Sequence, residues 1–248
     1  MHDYTPAADL LTNRIVLVTG AGDGIGRAAA LRFAAHGATV ILLGRTVKKL
    51  ERVYDAIEQA GHPQPAIYPM NLEGASPDDY LNLAETIERE FGRLDGLLHN
   101  AAVLNSLTPI THYPIDRWYK VLQVNLNAPF MLTQALLGLL NCADDASVVF
   151  TADSACDQGK AYWGAYAVAK SGTQTLMRTL ADELETNTAI RVNSIYPGKV
   201  HSKLRLSAYP AADARDWLKP DDVINGYLYL MGPDSKGISG QTFDAGQS

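Results

Sequence analysis

Short apolar runs alternate along this chain with longer stretches in which apolar positions recur every three or four residues. Arg14–Thr19 (RIVLVT), Thr39–Leu43 (TVILL), Ala66–Met70, Leu94–His99 (LDGLLH), Ser147–Thr151 (SVVFT) and Ala189–Tyr196 (AIRVNSIY) read as strands, with a short last one at Gln241–Phe243. Helical patterns lie between them: Ile25–His36 closed by Gly37, Val47–Ala60 by Gly61, and Pro77–Phe91 by Gly92, then Ile115–Leu140, Trp163–Glu185 and Pro220–Met231. Lys199–Leu218 is polar and aperiodic and reads as a loop or lid. Strands alternating with helices of this length predict an α/β fold. The expected architecture is a doubly wound parallel sheet of about seven strands with helices on both faces. With no repeat and no linker, residues 1–248 are read as a single domain, with 199–219 as its substrate lid.

Composition narrows the partners more than the chemistry. At 47% hydrophobic and 19% charged, the chain reads as globular. A net charge of −6 argues against a phosphate backbone as partner, so no nucleic acid is expected. No window is long enough to span a membrane, and the start, MHDYTPAADLLTNR, has no basic stretch leading into an apolar run. A soluble, cytoplasmic protein is expected. Cys142 and Cys156 form no CxxC and sit near no histidine cluster, so neither metal nor disulfide is expected; both read as small buried apolar residues.

The first strand runs into Thr19-Gly20-Ala21-Gly22-Asp23-Gly24-Ile25-Gly26 and then a helix. Phosphate oxygens need backbone N–H donors at close range. Glycines clear the approach, and the helix N-terminus adds favourable electrostatics. A dinucleotide across a Rossmann-type sheet follows from that strand–loop–helix context.

The TGxxxGxG spacing resembles the short-chain dehydrogenase/reductase family, of the single-domain type and a bacterial oxidoreductase subgroup. The likeness continues through His99-Asn100-Ala101-Ala102, the VNLNAPF segment holding Asn125, the pair Tyr166 and Lys170, Pro197-Gly198, and Gly240-Gln241-Thr242-Phe243-Asp244. It implies cofactor contacts at Gly20, Gly22, Asp23, Gly24, Ile25 and Gly26. It implies others at Arg45, Asn71 (beside the adenine), Leu72, Asn100 and Ala101, and at Tyr166, Lys170, Pro197, Gly198 and Val200. An acidic residue at the end of the second strand often selects NAD. Here Gly44 stands there, followed by Arg45, which can fork around a 2′-phosphate. NADP(H) is therefore favoured, with NAD(H) as the alternative. Asp23 argues the other way, because NADP enzymes of this kind often carry a basic residue at that point.

Tyr166 and Lys170 are four apart on a helix and share a face. A nearby ammonium favours phenolate, and so would a positive nicotinamide ring. That suits Tyr166 as general acid/base during hydride transfer, with Lys170 on the nicotinamide ribose. Pro129, four residues after Asn125, has no N–H, so the Asn125 carbonyl lacks its usual donor; the resemblance implies that it holds a water leading to Lys170. Asn125→Ala is expected to leave folding intact and lower turnover. The family places a serine thirteen residues before the tyrosine, where this chain has Asp153, with Ser154 beside it. Ser154 takes the role through a register change, Asp153 takes it as a protonated donor, or an ionised Asp153 weakens catalysis. As a purely structural residue, Asp153 would cap a loop.

Trp163, Tyr162 and Tyr196 are candidates for lining a substrate pocket, with core packing equally expected for Trp163. Lys199, Lys203 and Arg205 read first as a solvated loop face and second as an attraction for anions. His36 reads as a helix-end residue. The long helices around Tyr119 to Leu140 and Tyr166 to Leu184 are expected to bury one face against another subunit, and the resemblance implies a homodimer or homotetramer through them. The expected function is NADP-preferring interconversion of a small carbonyl and an alcohol. The alternative is a weakly catalytic or inactive dinucleotide sensor or partner subunit, suggested by Asp153.

Overall fold

The computed structural model describes residues 4–154 and 159–246. The sheet is parallel, with seven strands: β1 Ile15–Thr19, β2 Thr39–Gly44, β3 Ala66–Pro69, β4 Gly96–His99, β5 Ser147–Thr151, β6 Arg191–Tyr196 and β7 Thr242–Asp244. Their order is β3-β2-β1-β4-β5-β6-β7, so the chain leaves β1 toward one edge and returns to lay β4 on its other side. A crevice opens at such a reversal, at the carboxyl ends of the strands.

Each central strand is apolar on both faces. Val16, Val18, Val40, Leu42, Leu98 and Val149 pack with α1 (Gly24–Ala35), α2 (Val47–Gln59) and α8 (Ile224–Met231). Their neighbours Leu17, Ile41, Leu43, Leu97, Val148 and Phe150 pack with α3 (Pro77–Phe91), α5 (Ala128–Asn141) and α6 (Gly164–Leu184). That explains the uninterrupted apolar runs, which a sheet covered on both sides requires. At the edge opposite the crevice, Asp145 accepts from Arg14 at 2.7 Å and from Arg191 at 2.8 Å. Burial pushes against the Asp145 charge, and the two guanidiniums outweigh it, holding the carboxyl below its ordinary value.

Three expectations are corrected and one is refined. The helix foreseen over Ile115–Leu140 runs without interruption, but between α4 (Ile115–Leu122) and α5 it widens into a single turn at Gln123–Asn127 whose closing bond runs from Ala128 N–H to the Gln123 carbonyl. Pro129, in the first turn of α5, donates no N–H, and the wider turn takes up the mismatch. The stretch Lys199–Leu218 is structured: it carries α7 (Lys203–Ala208), a 3₁₀ turn at Ala214–Asp216 and a bridge from Val200 to Leu218. Pro220–Val223 is 3₁₀ rather than the first turn of α8. Cys142 is exposed, its thiol donating to the Gly138 carbonyl at the end of α5, while Cys156 lies outside the described residues.

Candidate active site

The phosphate-loop sequence crosses from β1 to α1 in a single turn. Asp23 caps the helix, its Oδ1 accepting from Gly24 N–H at 3.0 Å. Gly20 has φ +69°, and a Cβ on it would stand 3.1 Å from Ala101 Cα. On Gly26 a Cβ would lie 2.4 Å from the Gly20 carbonyl oxygen and 2.6 Å from Asn100 Nδ2. The loop is held against the end of β4 by Thr19, whose hydroxyl donates to the Leu98 carbonyl at 3.1 Å and accepts from the amides of Asn100 (2.9 Å) and Ala101 (3.0 Å). A backbone cradle without side chains, at a helix N-terminus, fits a pyrophosphate.

This loop forms one wall of a cleft of about 980 Å³ across the carboxyl ends of the strands. Gly20, Gly22, Asp23, Gly24 and Ile25 line that wall, continued by Arg45, Asn71 and Leu72. Asn100 and Ala101 form the floor. Pro197, Gly198 and Val200 stand opposite, beside Asp153, Ser154, Tyr166 and Lys170. Two expected site residues do not line the cleft. Gly26 is buried beneath the loop and serves by its smallness. Asn125 is buried, and its side chain grips the backbone of Val103: Oδ1 accepts from the amide at 2.9 Å and Nδ2 donates to the carbonyl at 2.7 Å. These bonds argue against the expectation that Asn125→Ala leaves folding intact, because both Val103 groups would lose that partner.

Tyr166 and Lys170 stand one turn apart on α6 and are both buried. Lys170 Nζ donates to the Thr151 carbonyl at 2.7 Å and lies 5.9 Å from the Tyr166 ring centroid. The Tyr166 hydroxyl donates to Asp153 Oδ2 at 3.2 Å. Asp153 follows the end of β5, and Ser154, exposed, follows it on the same cleft wall. Beneath the centre, His99 stacks on Phe150 and faces Thr133, whose hydroxyl donates to the Pro129 carbonyl. With that single proton spent, His99 Nε2 is the donor at 2.8 Å. Burial, and then the Lys170 charge, lower the His99 pKa to about 3.

A family model described as short chain dehydrogenase matches residues 14–212. The chain belongs to this family. It is 46% identical over 99% of its length, and 96% of the relative's, to the uncharacterized oxidoreductase YciK of Escherichia coli K12. It superposes on a solved structure from Pseudomonas syringae with a TM-score of 0.96 at 52% identity, covering 98% of each chain. A protein from Escherichia coli CFT073, solved in complex with NADPH, superposes at 0.93 with 46% identity, over 98% of this chain and 100% of that one. The family is one of oxidoreductases. No helix among the described residues is long and apolar enough to cross a membrane.

Several cleft residues carried little signal in the sequence. Lys49, from α2, and Lys203, from α7, reach Asp23 Oδ2 at 2.6 and 3.1 Å. Lys49 first, and Lys203 with it, hold the Asp23 carboxyl at about 2. Nothing in the spacing from Asp23 to Lys49 marks that contact. Ser202, on the cleft wall, caps α7 by accepting from Arg205 N–H at 3.1 Å; a serine ahead of Leu204 and Ala208 is a faint sign of a helix start, too short to establish a period. Trp163 is buried and lines the cleft, serving both expected roles. Tyr162 is exposed, and the Tyr196 hydroxyl accepts from Gln174.

Proposed function

We propose that this oxidoreductase interconverts a small carbonyl compound and its alcohol with NADP(H). Tyr166 exchanges the proton and Lys170 stands beside it. One observation carries the reading: a phenol and an ammonium one turn apart open onto the same cleft as a glycine cradle at a helix N-terminus. Bound there, the nicotinamide would supply or accept the hydride. The chain's own residues do the rest. Gly20–Gly26 and the start of α1 hold the pyrophosphate. Lys170, fixed by the Thr151 carbonyl, meets the ribose and favours phenolate at Tyr166. Tyr166 gives its proton to the carbonyl oxygen in reduction and takes it back in oxidation.

Three features support NADP over NAD. No carboxylate ends β2, Arg45 follows it on the cleft wall, and the Asp23 charge is offset by Lys49 and Lys203. The basic residue absent from the loop is thus supplied from α2 and α7. The related protein solved with NADPH supports the same choice. The Asp153 contact to Tyr166 leans toward the weakly catalytic reading, whereas the oxidoreductase relative and the cleft shared by Tyr166, Lys170 and the glycine loop support an active enzyme. The test is a fluorescence titration with NADPH and NADH, then a panel of carbonyls. Saturable NADPH binding is expected, with turnover that falls at least ~100-fold in Tyr166→Phe. Binding without turnover of any carbonyl or alcohol would return the sensor reading.

A further inference from the structure

One end of the cleft carries a run of tilted aromatic rings that ends on a cation. Trp163 lies 5.5 Å from Tyr166 and 5.9 Å from Tyr209, centroid to centroid. Beyond Tyr209 the Arg205 guanidinium carbon sits 5.0 Å from that ring and 5.2 Å from Trp217. Arg205 lines the cleft, and its Nε is buried with no hydrogen-bond partner. No ion pair of Arg205 occurs among the described residues. Of its neighbours in the lid, Asp213 is held by Arg215, and Asp216, also on the cleft wall, forms no ion pair with it. Lys160, exposed and outside the cleft lining, donates to the Tyr209 hydroxyl at 3.0 Å and helps to hold that ring.

A buried guanidinium N–H without a partner is costly, because water lost on burial is not replaced. Here the half-buried guanidinium is held between the Tyr209 and Trp217 rings on the cleft wall, and its Nε–H has no partner among the described residues. A fork of that kind matches a carboxylate through paired charge-assisted hydrogen bonds. The surface cations on the same segment differ: Lys203 is exposed and engaged with Asp23.

We propose that Arg205 is a substrate-binding residue, and that the preferred substrates are carbonyl or alcohol compounds bearing a carboxylate on a flat apolar body. The body lies along Trp163 and Tyr209, with the reacting oxygen at Tyr166 and the carboxylate at Arg205. This substrate class rests on the carbonyl–alcohol reading above.

The test compares 4-formylbenzoate with its methyl ester, using NADPH, in the wild type and in Arg205→Met, which keeps an apolar stem between the rings. The wild type is expected to favour the acid by at least ~10-fold in kcat/KM, mainly through KM, and R205M to reduce that ratio by ~10–100-fold. Thermal melting establishes that R205M is folded. Equal preference for acid and ester in the wild type, or an unchanged ratio in R205M, overturns the proposal. A second measurement needs no turnover: benzoate and benzamide are titrated into the NADP-saturated protein by tryptophan fluorescence. Saturable benzoate binding that is absent for benzamide and lost in R205M upholds the site even if neither aldehyde is reduced; equal behaviour of the two overturns it. Failure of NADP to bind counts against the functional reading itself.

Discussion

The Tyr166 hydroxyl donates to Asp153 Oδ2 across 3.2 Å, and both residues line the cleft beyond the end of β5. In the proposed mechanism an ionised Asp153 would engage the proton that Tyr166 delivers and would offer no hydrogen bond to negative charge growing on a carbonyl oxygen. Asp153→Ser supplies a neutral donor in its place. The expected outcome is a rise of about 10-fold or more in kcat for carbonyl reduction with NADPH, since one such donor is worth ~100-fold or more in well-formed sites. Steady-state kinetics at saturating NADPH check it. Equal or lower turnover in D153S would mean that the carboxyl group itself takes part.

Arg45 is exposed at the cleft wall immediately after β2. Its removal leaves the pyrophosphate cradle untouched. Arg45→Ala should weaken NADPH binding by ~10–100-fold, the worth of a charge-assisted hydrogen bond. NADH binding should change by less than about 2-fold. The two dissociation constants, measured at one ionic strength because the contact is screened by salt, decide the matter. A parallel loss for both nucleotides would remove Arg45 from the 2′-phosphate.

Asn125 holds both backbone groups of Val103 from the wider turn between α4 and α5. Asn125→Ala leaves a part-buried donor and a part-buried acceptor without their partner, and each costs up to roughly 1–3 kcal/mol. Destabilisation of about 2–4 kcal/mol is expected in urea unfolding, accompanied by loss of turnover. A variant as stable as wild type would show that Val103 finds water or another partner.

His99 titrates near ~6.5 in an unfolded chain and at about 3 when folded. Between those values the unfolded state binds the proton and the folded state does not. Stability is therefore full above pH ~6.5 and falls with acidification at about 1.4 kcal/mol per pH unit. His99→Asn retains a polar partner for Thr133 and should flatten this slope. Comparing the two proteins by urea unfolding from pH 6.5 to 4.5 reads the effect above the range where Asp23, held at about 2, protonates. Parallel slopes would sink the assignment.

The fold was largely legible because its signals are local. Apolar runs that need cover on both faces, glycines closing helices at Gly37 and Gly92, and the glycine loop before α1 each report on a few consecutive residues. The segment Lys199–Leu218 was read as a loop because α7 is short and its apolar face is only Leu204 and Ala208, too little for a period to emerge. The wider turn at Gln123–Asn127 left no mark in the apolar spacing, which continues through it because the helix itself is unbroken. Cys142 was expected inside because cysteine is usually buried, and nothing nearby in the sequence shows that the end of α5 leaves it at the surface.

By itself the sequence determined the α/β architecture, the glycine loop between β1 and α1 and the shared helical face of Tyr166 and Lys170, all set by backbone sterics and by periods within one element. Only the tertiary structure decided that Asp153 meets Tyr166, that Lys49 and Lys203 offset Asp23, that Asn125 grips Val103, and that Arg205 is wedged between Tyr209 and Trp217 without an ion pair among the described residues. Those contacts join residues from separate elements. Their distances depend on how helices seat on the sheet, and the order of residues along the chain does not encode that in any short pattern.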